Sequence, residues 1–149
     1  MEFNITSFDN INNFPTTKVI NSVISHRTKL MNMEQLLIPH ITLTPPTTFS
    51  IIGETPGVMS WIAKNNDGAI IGSVALNTSN SVMHSLWVEE EYRNIGVGKT
   101  LYNTVKQFCD TNCIKLKLFV LANNTGAIKF YERIGNYASY TIMQPNDLE

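Results

Sequence analysis

At 149 residues, 43% of them hydrophobic and 15% charged, the chain can bury one sizeable core and has the composition of an ordinary globular domain. Its net charge of −1, with no long basic run, argues against a dedicated nucleic-acid binder and leaves small ligands open. Its longest apolar stretches, such as AIIGSVAL, are far too short to span a bilayer, so no membrane partner is expected.

The first ten residues, MEFNITSFDN, suit a short strand and lack the basic-then-apolar layout of a signal peptide. From Pro15 to about Met31, the residues Val19, Ile20, Val23, Ile24, Arg27 and Leu30 recur with a helical period, and Pro15 suits the first turn. A second short helix is expected from Met33 to Ile38, ended by Pro39. A loop rich in Pro and Thr follows, with a strand at Phe49 to Ile52 and Glu54 just beyond it. Val58 to Lys64 and Ala69 to Asn77 read as two strands joined by the hairpin turn Asn65 to Gly68. A third strand of this meander runs from Ser81 to Val88.

A glycine-containing loop leads into a helix from about Gly96 to Asn112, with Leu101, Val105 and Phe108 as its apolar stripe. Ile114 to Leu121 alternates apolar and polar residues as a strand does, Thr125 to Ile134 is a helix, and Tyr137 to Met143 is a last strand. Antiparallel strands followed by strand, helix, strand, helix, strand make an α+β or mixed α/β sheet, not a doubly wound one. The two cysteines, Cys109 and Cys113, have no second pair at metal-ligand spacing and read as free thiols of a reducing compartment. The expected location is cytoplasmic, and no metal is expected.

The loop is YRNIGVGKTLY. Gly98-Lys99-Thr100 supplies the end of a P-loop, but Arg93 stands where its first glycine must be. Leu101 stands where a dinucleotide fingerprint needs a third glycine. Arg93, Gly96 and Gly98 remain as Arg-x-x-Gly-x-Gly, after a strand and before a helix. A helix N-terminus offers unpaired amides and positive potential, and glycine lets backbone approach a phosphate. The loop therefore reads either as a pyrophosphate cradle or as a plain strand-to-helix turn.

Some 26 residues beyond Gly98 comes NTGAIKFYERIG, with Asn124, Ala127, Phe130, Tyr131 and Gly135. Together with LWVEEEYRNIGVG, this resembles the GNAT superfamily of N-acetyltransferases over about Val58 to Tyr140. The second motif departs from the family at Asn136, where an aromatic is usual.

The resemblance implies one N-acetyltransferase domain over residues 1–149. Residues 1–56 would shape the acceptor pocket, and residues 57–149 would form the acetyl-coenzyme A core. It implies a central mixed, mostly antiparallel sheet flanked by helices, with a V-shaped splay between the fourth and fifth strands. The backbone of Leu86, Trp87 and Val88 would pair with the pantetheine arm as an added strand. Pyrophosphate would lie on the amides of Arg93, Asn94, Ile95, Gly96, Val97, Gly98, Lys99 and Thr100. Asn124 would bond the pantetheine, with Ala127 in the same segment.

Tyr131 would protonate the departing thiolate, its alternative being a core aromatic. His84 would take the amine proton, its alternative being a satisfied histidine of the sheet. Strict alternation puts Val82, His84, Leu86 and Val88 on one face. Glu54 is a weaker candidate for the acceptor pocket. Glu89, Glu90 and Glu91 are either a solvated loop or a patch for a cationic acceptor, and Trp61 and Trp87 are either packing residues or substrate platforms. The implied reaction is direct attack of a primary amine, small-molecule or protein, on the thioester. A non-catalytic acyl-coenzyme A sensor is the competing reading. A monomer or a homodimer fits either.

Overall fold

The computed structural model describes residues 2–9, 15–39, 41–47, 58–135 and 137. Its sheet has the order β1-β2-β3-β4-β5: Phe3–Asp9, Val58–Asn65, Ile70–Asn77, Val82–Val88 and Lys117–Leu118. β1 to β4 form an antiparallel meander, and β5 joins β4 in parallel. A parallel neighbour needs a crossover, and helix α2, Val97–Thr111, supplies it. Helix α1, Thr17–Leu37, packs against β3 and β4, and helix α3 is Thr125–Ile134. This is the mixed, mostly antiparallel sheet flanked by helices that the resemblance implies.

The hairpin between β2 and β3 forms as expected. The Asn65 side-chain oxygen accepts from the amides of Asp67 and Ala69, and Gly68 takes the positive φ of +80° that the turn demands. Two helical expectations merge into one. No proline or glycine interrupts Met31 to Met33, and a single asparagine costs a helix little, so α1 runs unbroken to Leu37. The strand expected over Ile114 to Leu121 shrinks to two paired residues. Alternation can specify an extended chain, but a ladder needs a partner, and β4 pairs only through Val82 with Lys117 and Met83 with Leu118. The ladder stops at those two pairs, well short of Val88. The strand expected at Phe49 to Ile52, Glu54, and all of the last strand except Tyr137 lie outside the described residues.

A bulge in β4 overturns the expected alternation. Trp87 pairs with Ser73 and His84 with Ala75, so three steps along β4 match two along β3. The extra residue is accommodated at Ser85, which takes a left-handed φ of 59°. Every side chain beyond it changes face. Val82, His84 and Trp87 therefore share the face of Ser73, which is the α1 face because Ser73 bonds His26. Leu86 and Val88 point the other way, into the cluster built around Val97, Leu101 and Val105 of α2. There α2 lies so close that a Cβ on Gly72 would come 3.1 Å from Leu101. A smaller cluster of Phe8, Val19, Val23, Ile62 and Ile70 seals α1 to the opposite face.

Candidate active site

The glycine loop leaves β4 through a short 3₁₀ turn, Glu90–Tyr92, and enters α2 at Gly96. Gly96 adopts φ +93°, a conformation glycine takes without strain. As the residue capping α2 it has no side chain to give, and the first amide with an intrahelical partner is that of Thr100, 3.0 Å from the Gly96 carbonyl. The other two long-helix entrances differ. Thr16 Oγ1 accepts from Val19 N at α1, and Asn124 Oδ1 accepts from Ala127 N at α3. The α2 entrance alone among these three leaves its amides to an outside acceptor.

Two expected contributors are partly engaged. The Arg93 guanidinium lies 4.5 Å from the Trp87 ring centroid, and its Nε donates to the Val88 carbonyl at 2.8 Å. The Thr100 hydroxyl donates to the Gly96 carbonyl. Asn124 spends its oxygen on the α3 cap, which leaves its NH₂ group for another acceptor. Gly98 has a different reason from the one its motif suggests. A Cβ there would point at Phe130 and Val88, 3.6 Å from each, so this glycine sits where α2 meets α3 and β4.

Tyr131 packs on the α2 side of the sheet. Its ring lies 5.3 Å from Phe130, 6.2 Å from Tyr102 and 6.4 Å from Tyr137 between centroids. Tyr102 and Tyr137 bond each other through their hydroxyls. The Tyr131 hydroxyl bonds none of the described residues. Burial, and secondarily the neighbouring Tyr102, push its pKa well above that of an ordinary phenol, so it keeps its proton at neutral pH.

His84 sits on the other face, and its Nδ1 is 2.8 Å from Ser85 Oγ. Burial, with the Arg27 charge as a second cause, pushes its pKa down to about 4. His84 is thus displaced below the ordinary imidazole range and is neutral at pH 7. Around it α1 contributes groups that the motifs do not mark. His26 is buried at 2% exposure, with Nδ1 2.7 Å from Ser73 Oγ and Nε2 3.5 Å from Glu89. Burial holds its pKa below the usual value against the pull of Glu89.

Glu89 also accepts from Lys29 at 2.8 Å and from Trp87 Nε1 at 3.2 Å. Burial raises its pKa, and these donors more than reverse that. Glu89 is therefore consumed by a network rather than held out to solvent, whereas Glu90 and Glu91 are exposed. A cleft of about 540 Å³ lies between α1 and this end of β4, with Met33, Trp87 and Arg93 among its walls. Trp61 is a packing residue, edge-on to Phe108 at 5.4 Å.

The motif residues accordingly gather along the α2 side and along β4, while His84 looks across to α1. The sequence did carry one sign of the second group. Arg27 interrupts an otherwise apolar helical stripe, and a charge in such a stripe needs a purpose. Among the described residues no three His, Cys, Asp or Glu side chains gather as a metal site, and no helix is long and apolar enough to cross a membrane.

The sequence matches the acetyltransferase (GNAT) family over residues 29–135, well over half of the chain. The chain belongs to that family and is an N-acetyltransferase; enzymes of this family use acetyl-coenzyme A. Among solved structures, a protein tetramutant from Bacillus halodurans superposes with TM-score 0.79 at 13% identity, over 95% of this chain and 98% of that one. An aminoglycoside acetyltransferase from an uncultured soil sample superposes with TM-score 0.68 at 13% identity, over 97% and 98%. A candidate streptothricin acetyltransferase from Bacillus anthracis, bound to acetyl-coenzyme A, is 31% identical with TM-score 0.50, over 55% of this chain and 48% of that one. No curated protein sequence matches the chain significantly.

Proposed function

We propose that the chain, as one domain over residues 1–149, moves the acetyl group of acetyl-coenzyme A to a primary amine by direct attack on the thioester. The observation that carries this reading is the open α2 entrance beside an open strand edge. Gly96 leaves the first-turn amides without a cap, and the ladder between β4 and β5 stops at Met83 and Leu118. Pyrophosphate fits the uncapped amides from Gly96 to Lys99, since the Thr100 amide is already spent on the Gly96 carbonyl, with Arg93, Asn94 and Ile95 leading the chain in. An extended pantetheine fits along Leu86, Trp87 and Val88, save at the Val88 carbonyl, which already accepts from Arg93. The NH₂ group of Asn124, at the start of the segment that holds Ala127, suits a carbonyl of that arm.

Acetyl-coenzyme A supplies an activated acyl carbon and a thiolate leaving group. The amine nitrogen bonds to that carbon, the carbon–sulfur bond breaks, and two protons must be handled. Neutral His84, or a water it holds, takes the proton leaving the amine. Tyr131 gives its phenol proton to the sulfur. Burial makes the phenol a weaker acid, but it raises the basicity of a buried thiolate as well, so the two remain matched. Because His84 and Tyr131 belong to opposite faces, the gap between β4 and β5 is the passage through which acceptor and thioester meet. Residues 1–56 would shape the acceptor side of that passage.

Calorimetry with acetyl-coenzyme A and mass spectrometry of an amine panel test the reading together. Saturable binding with an acetylated amine is expected. Binding with no transfer to any amine would instead make the chain an acyl-coenzyme A sensor.

A further inference from the structure

Helix α1 brings three cations toward the sheet, and two of them are answered. Lys18 donates to the Gly68 carbonyl, and Lys29 pairs with Glu89. Among the described residues, Arg27 is not answered. It lies on the inward face of α1, one turn beyond Val23 and two beyond Ile20, both buried. Its Nε is sealed from solvent and has no hydrogen-bond partner. No carboxylate among the described residues pairs with its guanidinium. Burial draws its pKa down to about 10, so it remains charged at neutral pH. Arg27 as a whole is only partly buried, but a donor sealed from water without a partner costs a fold stability. The groups within its influence include His84, on which its charge bears directly.

Resting on the acetyltransferase reading above, we propose that the acceptor is an amine that also carries an anionic group, and that Arg27 is the counter-ion for that group while His84 serves the amine. The anion is not the pyrophosphate. The α2 entrance belongs to the other face of the sheet, where Gly72 meets Val97 and Leu101. A planar guanidinium fork suits a carboxylate or a phosphate equally. Either would convert the unanswered charge into a pair. It would also relieve the repulsion Arg27 exerts on His84, so that the base strengthens when the correct acceptor is present. A polycationic amine would meet an uncompensated arginine at the same place.

Matched amines test this: glycine against glycinamide, 4-aminobutyrate against butylamine, and O-phosphoethanolamine against ethanolamine. The anionic member of at least one pair should have the higher kcat/KM, and the carboxylate and phosphate pairs distinguish the two anions. Arg27→Gln should raise KM for that member by at least about 30-fold. It should leave the KM of the neutral partner and acetyl-coenzyme A binding unchanged, and Arg27→Lys should restore part of the loss. Arg27→Met should melt at a higher temperature than wild type, because it removes a sealed donor that has no partner among the described residues, at the expense of recognition. A structural arginine would do the opposite.

A second readout needs no turnover. Calorimetry of N-acetylglycine and of inorganic phosphate, each with coenzyme A present, should detect one of them in wild type and neither in Arg27→Gln. Equal effects of Arg27→Gln on charged and neutral amines, preference for the neutral or polycationic amines, or absence of anion binding would overturn the proposal and leave acetyl transfer intact. Failure to bind acetyl-coenzyme A would overturn the earlier reading instead.

Discussion

The two faces of the sheet are built on different chemistry. On the α2 face, Val97, Leu101 and Val105 meet the strands in an apolar core that continues into the rings of Tyr102 and Tyr131. What this face leaves free among the described residues is backbone: the amides that follow Gly96 and the edge of β4 beyond Met83. On the α1 face, His26, Arg27, Lys29, His84 and Glu89 crowd into a few turns of contact. A face made of backbone recognises what every member of an enzyme class shares. A face made of side-chain charge can differ from one member to the next while the fold stays the same. The bulge at Ser85 joins the two, because it gives one strand His84 toward one face and Leu86 toward the other.

The sharpest way to break this division is at Tyr131, the one side chain of the α2 face assigned a proton. Tyr131→Phe keeps the ring among Phe130, Tyr102 and Tyr137 and removes only the hydroxyl. Turnover should fall by roughly 10²–10⁴ while acetyl-coenzyme A affinity holds. Steady-state kinetics beside calorimetry separates the two quantities. A variant as fast as wild type would reduce Tyr131 to packing and leave the α2 face with no chemical group at all.

The α1 face should betray its charges through pH. An unfolded imidazole takes up its proton near 6.5, but folded His84 refuses one until about pH 4. Between those values the unfolded chain binds more protons than the folded one, so stability falls with pH. It is whole above about pH 6.5 and declines as pH drops toward about 4, by on the order of 3 kcal/mol from His84. His26, held down by its own burial, acts in the same direction. Urea denaturation at neutral pH and near pH 5 should therefore give a markedly lower wild-type stability at the acid end, and His84→Gln should flatten the difference. Parallel losses in both proteins would mean that His84 is not desolvated by α1. The same displacement bears on catalysis: the acid limb attributable to His84 in a rate profile should lie near its lowered pKa, well below that of a free imidazole.

The asymmetry between the faces also explains what could be read from the sequence. The α2 face was legible because its two motifs place particular residue types at set spacings. Gly96, Gly98, Asn124 and Tyr131 occur at fixed spacings, and the hairpin at Asn65 to Gly68 has the turn chemistry its geometry needs. The α1 face was legible only as a helix. Arg27 counted only as one member of the helical stripe, a stripe does not say what a charge will meet, and Ser73 and Glu89 are both far away in sequence. The orientation of His84 was misread because strict alternation assumes an unbroken ladder. Nothing at Ser85 announces a left-handed φ of 59° the way a glycine would. The length of β5 was likewise unreadable, since pairing depends on a neighbouring strand and not on the alternation itself.

A smaller effect is expected where the backbone face is strained rather than stripped of a chemical group. Gly96→Val forces a β-branched residue into φ +93°, at a cost of about 1–3 kcal/mol that the loop can relieve only by moving its amides. Acetyl-coenzyme A binding should weaken by about tenfold or more, read by calorimetry. An unaltered isotherm would mean that the α2 entrance does not hold the ligand.

The smallest effect separates the two glycines of the loop. They look alike in sequence, but only Gly96 has a positive φ, whereas Gly98 is an ordinary helical residue in the first turn of α2. A single Cβ at Gly98 would lie 3.6 Å from Phe130 and from Val88, normal van der Waals distances directed into the protein and away from the exposed amides. Alanine is the better helix former, by up to about 1 kcal/mol over glycine. Gly98→Ala should therefore leave acetyl-coenzyme A affinity unchanged and raise stability by a few tenths of a kcal/mol to about 1 kcal/mol. Calorimetry and a denaturant titration read these two quantities. Gly98→Leu supplies the contrast, because the added atoms must displace Phe130 and with it the helix that carries Tyr131, so turnover should drop more than binding. Lost affinity in Gly98→Ala would show that the ligand needs the Cα of Gly98 itself, and the α2 entrance would then recognise its ligand by close approach at both glycines rather than by the conformation of one.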